Sequence, residues 1–271
     1  ARPDAALANL KKQKPAPLFT QKALCLIEPG NFDEDLAKIR GCDWVVEVVK
    51  EDLAVKQRLF ARVEPHLSPT AIVSSNTSGL SIKAMTEGRS ADFKRRFLVT
   101  HFFNPVRYMK LLELVAGPET DPKVIARLAK FGEETLGKGI VYGKDTTNFI
   151  ANRIGTYGMM ATLQQMEAAG LVIEEVDKIF GPPLGRPKSA VFRTADLVGL
   201  DTFLHVTTNC YDSLVHDDER ETFKPPDWLK QLVARGMLGD KSGGGFYKKS
   251  KGTQGESEIL ALDLKTLEYR A

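Results

Sequence analysis

The sequence predicts an α/β protein in which a largely parallel sheet domain, residues 1–143, precedes an all-α domain, residues 144–250. Short runs rich in β-branched and aromatic residues alternate with amphipathic stretches from about residue 23 to 143, a pattern typical of βαβ units. After Lys144 the strand signals nearly vanish, and long helical stretches replace them. Residues 251–271 begin with a polar stretch, which predicts a linker or tail.

Local signals define the individual elements. Asp52 is a predicted N-cap, because its side chain can accept from the free N–H groups of a helix whose apolar residues follow at helical spacing. Asp121-Pro122 predicts the start of another helix, and Gly137 predicts its end. The predicted strands are Trp44–Val49, Ala71–Ser74, Arg96–Phe103, Leu111–Val115 and Ile140–Gly143. The predicted helices of the second domain span residues 148–169, 173–179, 190–215 and 226–235.

Charge and composition exclude several classes of protein. Thirty-eight Lys and Arg residues against 35 Asp and Glu leave a formal charge of +3, too balanced for a nucleic-acid or membrane-surface binder. The cysteines, Cys25, Cys42 and Cys210, lie far apart without the C-x-x-C spacing of zinc or redox sites. No apolar run approaches the roughly 20 residues that a membrane span needs. We therefore expect a cytoplasmic protein with no metal site, no nucleic-acid partner and no membrane span.

One histidine and one glutamate are the strongest candidates for chemistry. His101 ends an apolar strand, and Glu113 interrupts the next one. If the two strands run antiparallel around a turn near Arg107, residues 101 and 113 lie opposite each other, within reach of a carboxylate–imidazole contact. Such a pair suits general acid–base catalysis, because the carboxylate stabilises the imidazolium. A core histidine satisfied by a structural glutamate explains the same pattern, and the residues alone leave both interpretations open.

Other polar residues are candidates of lower specificity. Ser78 belongs to a polar turn after a predicted strand, where caps and turns are the ordinary explanation. Asn152 lies on an apolar helix face, as either a packed residue or a substrate contact. Glu51 follows a predicted strand, and Lys56 is expected at the surface with its stem along apolar neighbours.

Six stretches of the sequence are distinctive when taken together and in order. They are Ser75–Ser78, His101–Pro105, Lys110–Glu113, Lys144–Thr146 with Phe149–Arg153, Asp196–Asp201, and Lys241–Gly243 with Gly245–Tyr247. On these stretches the chain resembles the 3-hydroxyacyl-CoA dehydrogenase family, over about residues 1–248.

The resemblance implies oxidation of the 3-hydroxyl group of a 3-hydroxyacyl-CoA with NAD, in fatty-acid β-oxidation. His101 would then be the base that takes the hydroxyl proton, and Glu113 would orient it and stabilise its charge. Ser78 and Asn152 match the polar residues that hold the reacting oxygen and the thioester end.

The resemblance also implies a set of ligand contacts. Glu51, Lys56, Ser78, Asn104 and Lys241 match positions that line the nicotinamide half of the cofactor site. The lysines at 11, 12 and 14 fall near the family's coenzyme A phosphate contacts, and a solvated basic face explains them equally well.

The chain departs from the family at its front. The family's dinucleotide fold needs a strand, a G-x-G-x-x-G turn and a helix, because glycines let backbone N–H groups approach the pyrophosphate. This sequence contains no G-x-G-x-x-G run, and Gly243–Gly245 lies near the other end without a following helix. We therefore expect a Rossmann-type domain truncated at its N-terminus, with impaired NAD binding.

Two implied partners complete the interpretation. Residues 181–189 and 259–269 resemble long bifunctional β-oxidation enzymes, so an enoyl-CoA hydratase domain is expected to follow in the parent protein. Apolar residues on more than one face of the predicted helices, with the resemblance, imply a homodimer through the helical domain.

Two other functions remain open. The chain could be a non-catalytic helical dimerisation module with structural polar residues at its strand ends. It could also be a dehydrogenase for a 3-hydroxy acid without coenzyme A.

Overall fold

A mixed β-sheet organises the first of two compact units in the computed structural model, which describes residues 3–251 and 256–271. The units comprise residues 1–150 and 151–271. In the described part of the first unit, five strands lie in chain order: β1 (Trp44–Glu47), β2 (Ile72–Ser75), β3 (Phe97–Phe102), β4 (Leu111–Ala116) and β5 (Gly139–Gly143). All neighbouring pairs are parallel except β3 with β4.

Helices connect and cover the strands of this unit. They are α1 (Pro3–Lys12), α2 (Leu53–Val63), α3 (Ile82–Met85), α4 (Ala91–Arg95) and α5 (Pro122–Glu134), with 3₁₀ turns at Gln21–Leu26, Leu36–Gly41 and Glu64–His66. The predicted caps are confirmed: Asp52 accepts from the Val55 N–H at 3.0 Å, and Asp121 accepts from the Lys123 N–H at 2.8 Å. Gly137 has a φ of 65°, the left-handed conformation expected after a helix end.

Strand alternation divides the core of the first unit into two layers. Phe97 and Val99 point to one face, where they pack with Phe60 of α2 and Phe93 of α4. Leu98, between them in sequence, points to the other face, with the apolar side chains of β4 and α5. Both faces of the sheet are therefore covered, as expected for a sheet with parallel strands.

The second unit is built mainly of helices. They are α6 (Ala151–Ala169), α7 (Ile173–Ile179), α8 (Phe192–Val198), α9 (Leu200–Ser213) and α10 (Asp227–Ala234), with 3₁₀ turns at Pro182–Leu184, Arg220–Phe223 and Asp240–Ser242. The single helix predicted over residues 190–215 is wrong. Gly199, with a φ of 102°, breaks it into α8 and α9, because that backbone conformation cannot continue a helix.

The segment expected to be a linker or tail forms β-structure instead. β6 (Tyr247–Lys251), β7 (Ser257–Asp263) and β8 (Glu268–Arg270) form an antiparallel sheet in the described part of this unit. Ala261 and Leu262 of β7 are buried in the same apolar cluster as the helices. The predicted succession of a Rossmann-type sheet domain and a helical domain is confirmed, but the second unit is not all-α: residues 257–270 form two strands, and Ala261 and Leu262 belong to its core.

Asp196 connects two of the sequence stretches noted above. Its buried carboxylate accepts from the Phe246 and Tyr247 N–H groups, each at 2.8 Å. A Cβ atom at Gly239 would collide with the backbone of Asp196, and one at Gly245 would collide with its carboxylate. The glycines after α10 are therefore required by close packing against α8. Burial raises the pKa of Asp196 to about 6.

We expect Asp196 to make the second unit more stable at pH 5 than at pH 7. The pKa of Asp196 is about 6 in the folded protein and 3.8 ordinarily. Between pH 3.8 and pH 6, the folded protein therefore binds more protons than the unfolded chain. This contribution is present at low pH and is lost as the pH rises through 6. Urea unfolding of the wild type and of Asp196→Asn should show the wild type gaining about 1 kcal/mol relative to the variant between pH 7 and pH 5. An identical pH dependence of the two proteins would contradict this prediction.

Candidate active site

The His101–Glu113 pair forms the centre of the candidate site. The antiparallel register of β3 and β4 places the two residues opposite each other, as the sequence predicted. His101 Nδ1 lies 2.6 Å from Glu113 Oε2, and the two residues are only 4% and 0% exposed. The other carboxylate oxygen of Glu113 accepts from the Ile150 N–H at 3.1 Å. The carboxylate is thus fixed from two sides.

The environment of the imidazole distinguishes its two nitrogens. Its ring meets Phe103 and Phe149 edge-on, with centroids 4.6 and 5.6 Å away. With Glu113 accepting the Nδ1 proton, Nε2 of the neutral ring carries a lone pair. Nε2 lies 3.2 Å from the hydroxyl of Ser78, on the side of the ring away from Glu113. A nitrogen in this state can accept a proton from a hydroxyl group.

A glutamate holds the turn that carries Ser78. Glu51 Oε1 accepts from the Thr77 hydroxyl and, at 3.2 Å, from the Ser78 N–H. Thr77 is buried, whereas the side chain of Glu51 remains 37% exposed. Glu51 therefore positions the turn while presenting part of its carboxylate to solvent.

Lys56 is buried, and its predicted place at the surface is wrong. Its side chain is 1% exposed, and Nζ lies 2.8 Å from Glu47 Oε2 and 3.1 Å from Glu51 Oε2. Lys56 lies in the first turns of α2, and its ammonium group reaches Glu47, the last residue of β1. Glu47 was not predicted from the sequence; the available signal was a glutamate within the apolar run Trp44–Val49, which requires a buried partner.

The candidate residues of the first unit lie at the same edge of the sheet. β1, β2 and β3 are parallel, so Glu51, Ser78 and Asn104 follow carboxyl ends that point the same way. The Asn76 side chain accepts from the Phe102 N–H at 2.9 Å and so joins the ends of β2 and β3. Asn104 is exposed in the turn after β3. Ligands of open α/β sheets bind in this kind of crevice.

Two basic side chains brace the turn between β3 and β4. Lys138 Nζ donates to the carbonyl oxygens of Val106 and Met109. Arg107 donates to the carbonyl oxygens of Ala16 and Leu18 at 3.0 and 2.9 Å. The turn that separates His101 from Glu113 is thereby tied to two other parts of the unit.

The other predicted contacts are described within their own surroundings. Asn152 lies in the first turn of α6 and is partly buried. Lys241 is exposed and pairs with Asp201, close to Gly199. Both belong to the second unit, and their predicted roles stay predictions. The lysines at 11, 12 and 14 are exposed at and after the end of α1, and their coenzyme A contact also stays a prediction.

The described residues contain neither a cluster suited to a metal ion nor a membrane-spanning helix. Over residues 3–251 and 256–271, no group of three or more His, Cys, Asp and Glu side chains is placed to hold a metal ion. No helix in these ranges is long and apolar enough to cross a membrane.

Comparison with known proteins places these features in a family. Residues 3–146 match the family model described as 3-hydroxyacyl-CoA dehydrogenase, NAD binding domain, and residues 149–249 match its C-terminal domain. A Bacillus subtilis relative named as a 3-hydroxyacyl-CoA dehydrogenase is 52% identical over 97% of this chain and 33% of its own length. A relative of the same name from Deinococcus radiodurans is 47% identical over 91% of this chain and 70% of its own. The chain thus spans only about a third of the Bacillus relative.

Solved structures show the same fold. FadB2 of Mycobacterium tuberculosis superposes with a TM-score of 0.77 at 31% identity, covering 91% of this chain and 85% of its own. The Rossmann-type unit followed by a mainly helical unit matches this fold, and the family model that its first part matches is described as an NAD binding domain. The chain belongs to the 3-hydroxyacyl-CoA dehydrogenase family.

Proposed function

We propose that this chain carries the catalytic residues of an enzyme that oxidises a 3-hydroxyacyl-CoA to the 3-oxoacyl-CoA with NAD in fatty-acid β-oxidation. The observation that carries the proposal is the imidazole of His101, held between Glu113 at 2.6 Å and Ser78 at 3.2 Å. A relative from Rickettsia felis that bears the name of a fatty acid oxidation complex trifunctional enzyme, 38% identical over 97% of this chain, supports the metabolic context.

His101 acts as the general base in this proposal. Its Nε2 takes the proton of the substrate hydroxyl as the C3–H bond breaks and the C3–O bond becomes a carbonyl. NAD supplies the acceptor for the hydride that leaves C3. The positive charge then on the imidazole lies against Glu113, which is 0% exposed, so little solvent screens the attraction.

The remaining polar residues orient the reactants in this proposal. Ser78 lies beside Nε2, where its hydroxyl can share a hydrogen bond with the reacting oxygen. Glu51 and Asn104 face the nicotinamide half of the cofactor, a fit supported by the exposed part of the Glu51 carboxylate and the exposed Asn104 amide. Lys56, which is 1% exposed, contributes to this part of the site through its contact with Glu51. Asn152 holds the thioester end and Lys241 completes the nicotinamide site; for these two, only the family resemblance supports the role.

Substitution of His101 by Gln tests the base. In the natural gene product, we expect kcat/KM for 3-hydroxybutyryl-CoA to fall by about 10²- to 10⁴-fold, because glutamine cannot accept and release the proton. His205→Gln is the matched control, since His205 is exposed on α9. Circular dichroism should show both variants folded.

Two outcomes of this assay favour the alternatives. A loss of less than about tenfold in folded His101→Gln, on the scale of general-base effects, would favour a non-catalytic dimerisation module. Equal wild-type turnover of 3-hydroxybutyrate and its coenzyme A thioester would favour a dehydrogenase for free 3-hydroxy acids.

The sequence contains no glycine-rich motif that would bind the pyrophosphate half of the cofactor. We therefore propose that the 271-residue chain binds NAD weakly. No G-x-G-x-x-G run offers its N–H groups to the phosphates, so mainly nicotinamide contacts remain. Calorimetry with NADH should give a dissociation constant at least about tenfold weaker than that of the 3-hydroxybutyryl-CoA dehydrogenase of Mycobacterium tuberculosis, a loss of roughly 1.4 kcal/mol. Equal affinities would overturn this part of the proposal.

A following enoyl-CoA hydratase domain in the parent protein is also part of the proposal. Residues 181–189 and 259–269 resemble those of bifunctional enzymes. The Rickettsia felis relative, of which this chain spans 37%, supports such an arrangement.

We further propose a homodimer formed through the helical unit. Ile154 on α6 and the adjacent Leu197 and Val198 on α8 are 67%, 58% and 55% exposed, and large exposed apolar side chains on these helices suit a contact between two copies of the chain. Light scattering should give twice the chain mass of 30.0 kDa, and Leu197→Glu should return it to 30.0 kDa. Ile259→Glu, at a 62% exposed position on β7, is the control that should leave the dimer intact. A wild-type mass of 30.0 kDa would remove the dimer from the proposal.

A further inference from the structure

A second buried carboxylate lies behind the site, at the end of β1. Glu47 is 4% exposed and accepts four hydrogen bonds through its two oxygens. Oε1 accepts from the Val49 N–H at 2.5 Å and from Lys56 Nζ at 2.9 Å. Oε2 accepts from the Ser75 hydroxyl at 2.5 Å and from Lys56 Nζ at 2.8 Å. With both oxygens doubly occupied, this carboxylate is committed to its protein neighbours, so any role in the site is exerted through them.

Lys56 links Glu47 to Glu51, because its ammonium group contacts both carboxylates. Its ammonium group is 1% exposed, so its charge must be balanced by the carboxylates that it contacts. Both oxygens of Glu47 hold it, and Glu51 Oε2 lies 3.1 Å from the same nitrogen. One ammonium therefore sets the separation of two carboxylates.

Glu51 in turn holds the turn that carries Ser78. Its second oxygen accepts from the Thr77 hydroxyl and from the Ser78 N–H at 3.2 Å. The Ser78 hydroxyl lies 3.2 Å from His101 Nε2. An uninterrupted series of polar contacts thus leads from the end of β1 through α2 and the turn after β2 to the histidine on β3.

We propose that Glu47 is a positioning residue that, through Lys56 and Glu51, holds Ser78 in place against His101. Without the charge of Glu47, Lys56 has Glu51 as its remaining carboxylate contact in this cluster and draws that carboxylate away from the Ser78 N–H. The inference rests on the proposed function only in treating His101 as the reacting residue.

The test compares Glu47→Gln with Ser74→Ala in the 271-residue chain by NMR. We expect Glu47→Gln to accelerate amide hydrogen exchange at Ser78 at least about tenfold, equivalent to roughly 1.4 kcal/mol of lost protection. It should also shift the ¹⁵N resonance of His101 Nε2, which senses the Ser78 hydroxyl. Ser74→Ala is the matched control: Ser74 is equally buried on β2, but it bonds to Trp44 and Thr100 on the other face of the sheet.

A charge-balanced double variant covers the case in which Glu47→Gln fails to fold. Glu47→Gln with Lys56→Met removes the buried ion pair as a unit, a replacement that folded proteins often tolerate. It also removes the cation that fixes Glu51 Oε2, so the Glu51 carboxylate is no longer held against the Ser78 N–H, and the same two NMR changes are expected for this reason. Wild-type exchange at Ser78 and a wild-type Nε2 resonance in either folded variant, or equal changes in Ser74→Ala, would overturn the positioning role. Neither measurement needs turnover, so the dehydrogenase proposal stands or falls separately on the His101 assay.

Discussion

The antiparallel pairing of β3 with β4 is the constraint on which the candidate site depends. In a sheet whose other neighbouring strands are parallel, this one reversal brings Glu113 back along the strand that carries His101. Strand alternation then makes both side chains share a face with the apolar residues Phe97, Val99 and Val115. The pair is therefore buried, because the apolar core of the sheet continues up to it. A carboxylate in such a place interacts strongly with any charge on the imidazole.

The candidate site combines two polar clusters of different character. His101 and Glu113 form a buried pair across two neighbouring strands. Lys56 contacts two glutamates, Glu47 and Glu51, and the hydrogen bonds of this cluster are distributed over the ends of two strands and a helix. Ser78 stands where the two groups meet. If His101 acts as the proposed base, the neighbouring hydrogen-bonded cluster orients it in advance, which reduces the entropy lost on reaching the reacting geometry.

The sequence predicted the parts of this arrangement that depend on local periodicity. The apolar runs on either side of Arg107 defined two strands, and the 12-residue separation of His101 and Glu113 fixed their register once a turn was assumed. Capping by Asp52 and Asp121 likewise needed only neighbouring residues. The burial of Lys56 was not predictable in this way, because it depends on carboxylates that come together only when the sheet forms. The break at Gly199 and the pairing of β7 with β6 also depend on contacts between distant residues.

The packing of Asp196 against Gly239 and Gly245 changes how family motifs should be interpreted. Asp196 and Gly245 belong to stretches that make the chain easy to classify, yet their contacts lie within the helical unit and serve its architecture. A descendant that had lost all redox chemistry would still be selected to keep them, since its fold would suffer otherwise. Under the proposed function, His101 and Glu113 would be kept for the chemistry as well. Active and inactive descendants are therefore better separated by their strand-end residues than by their glycines.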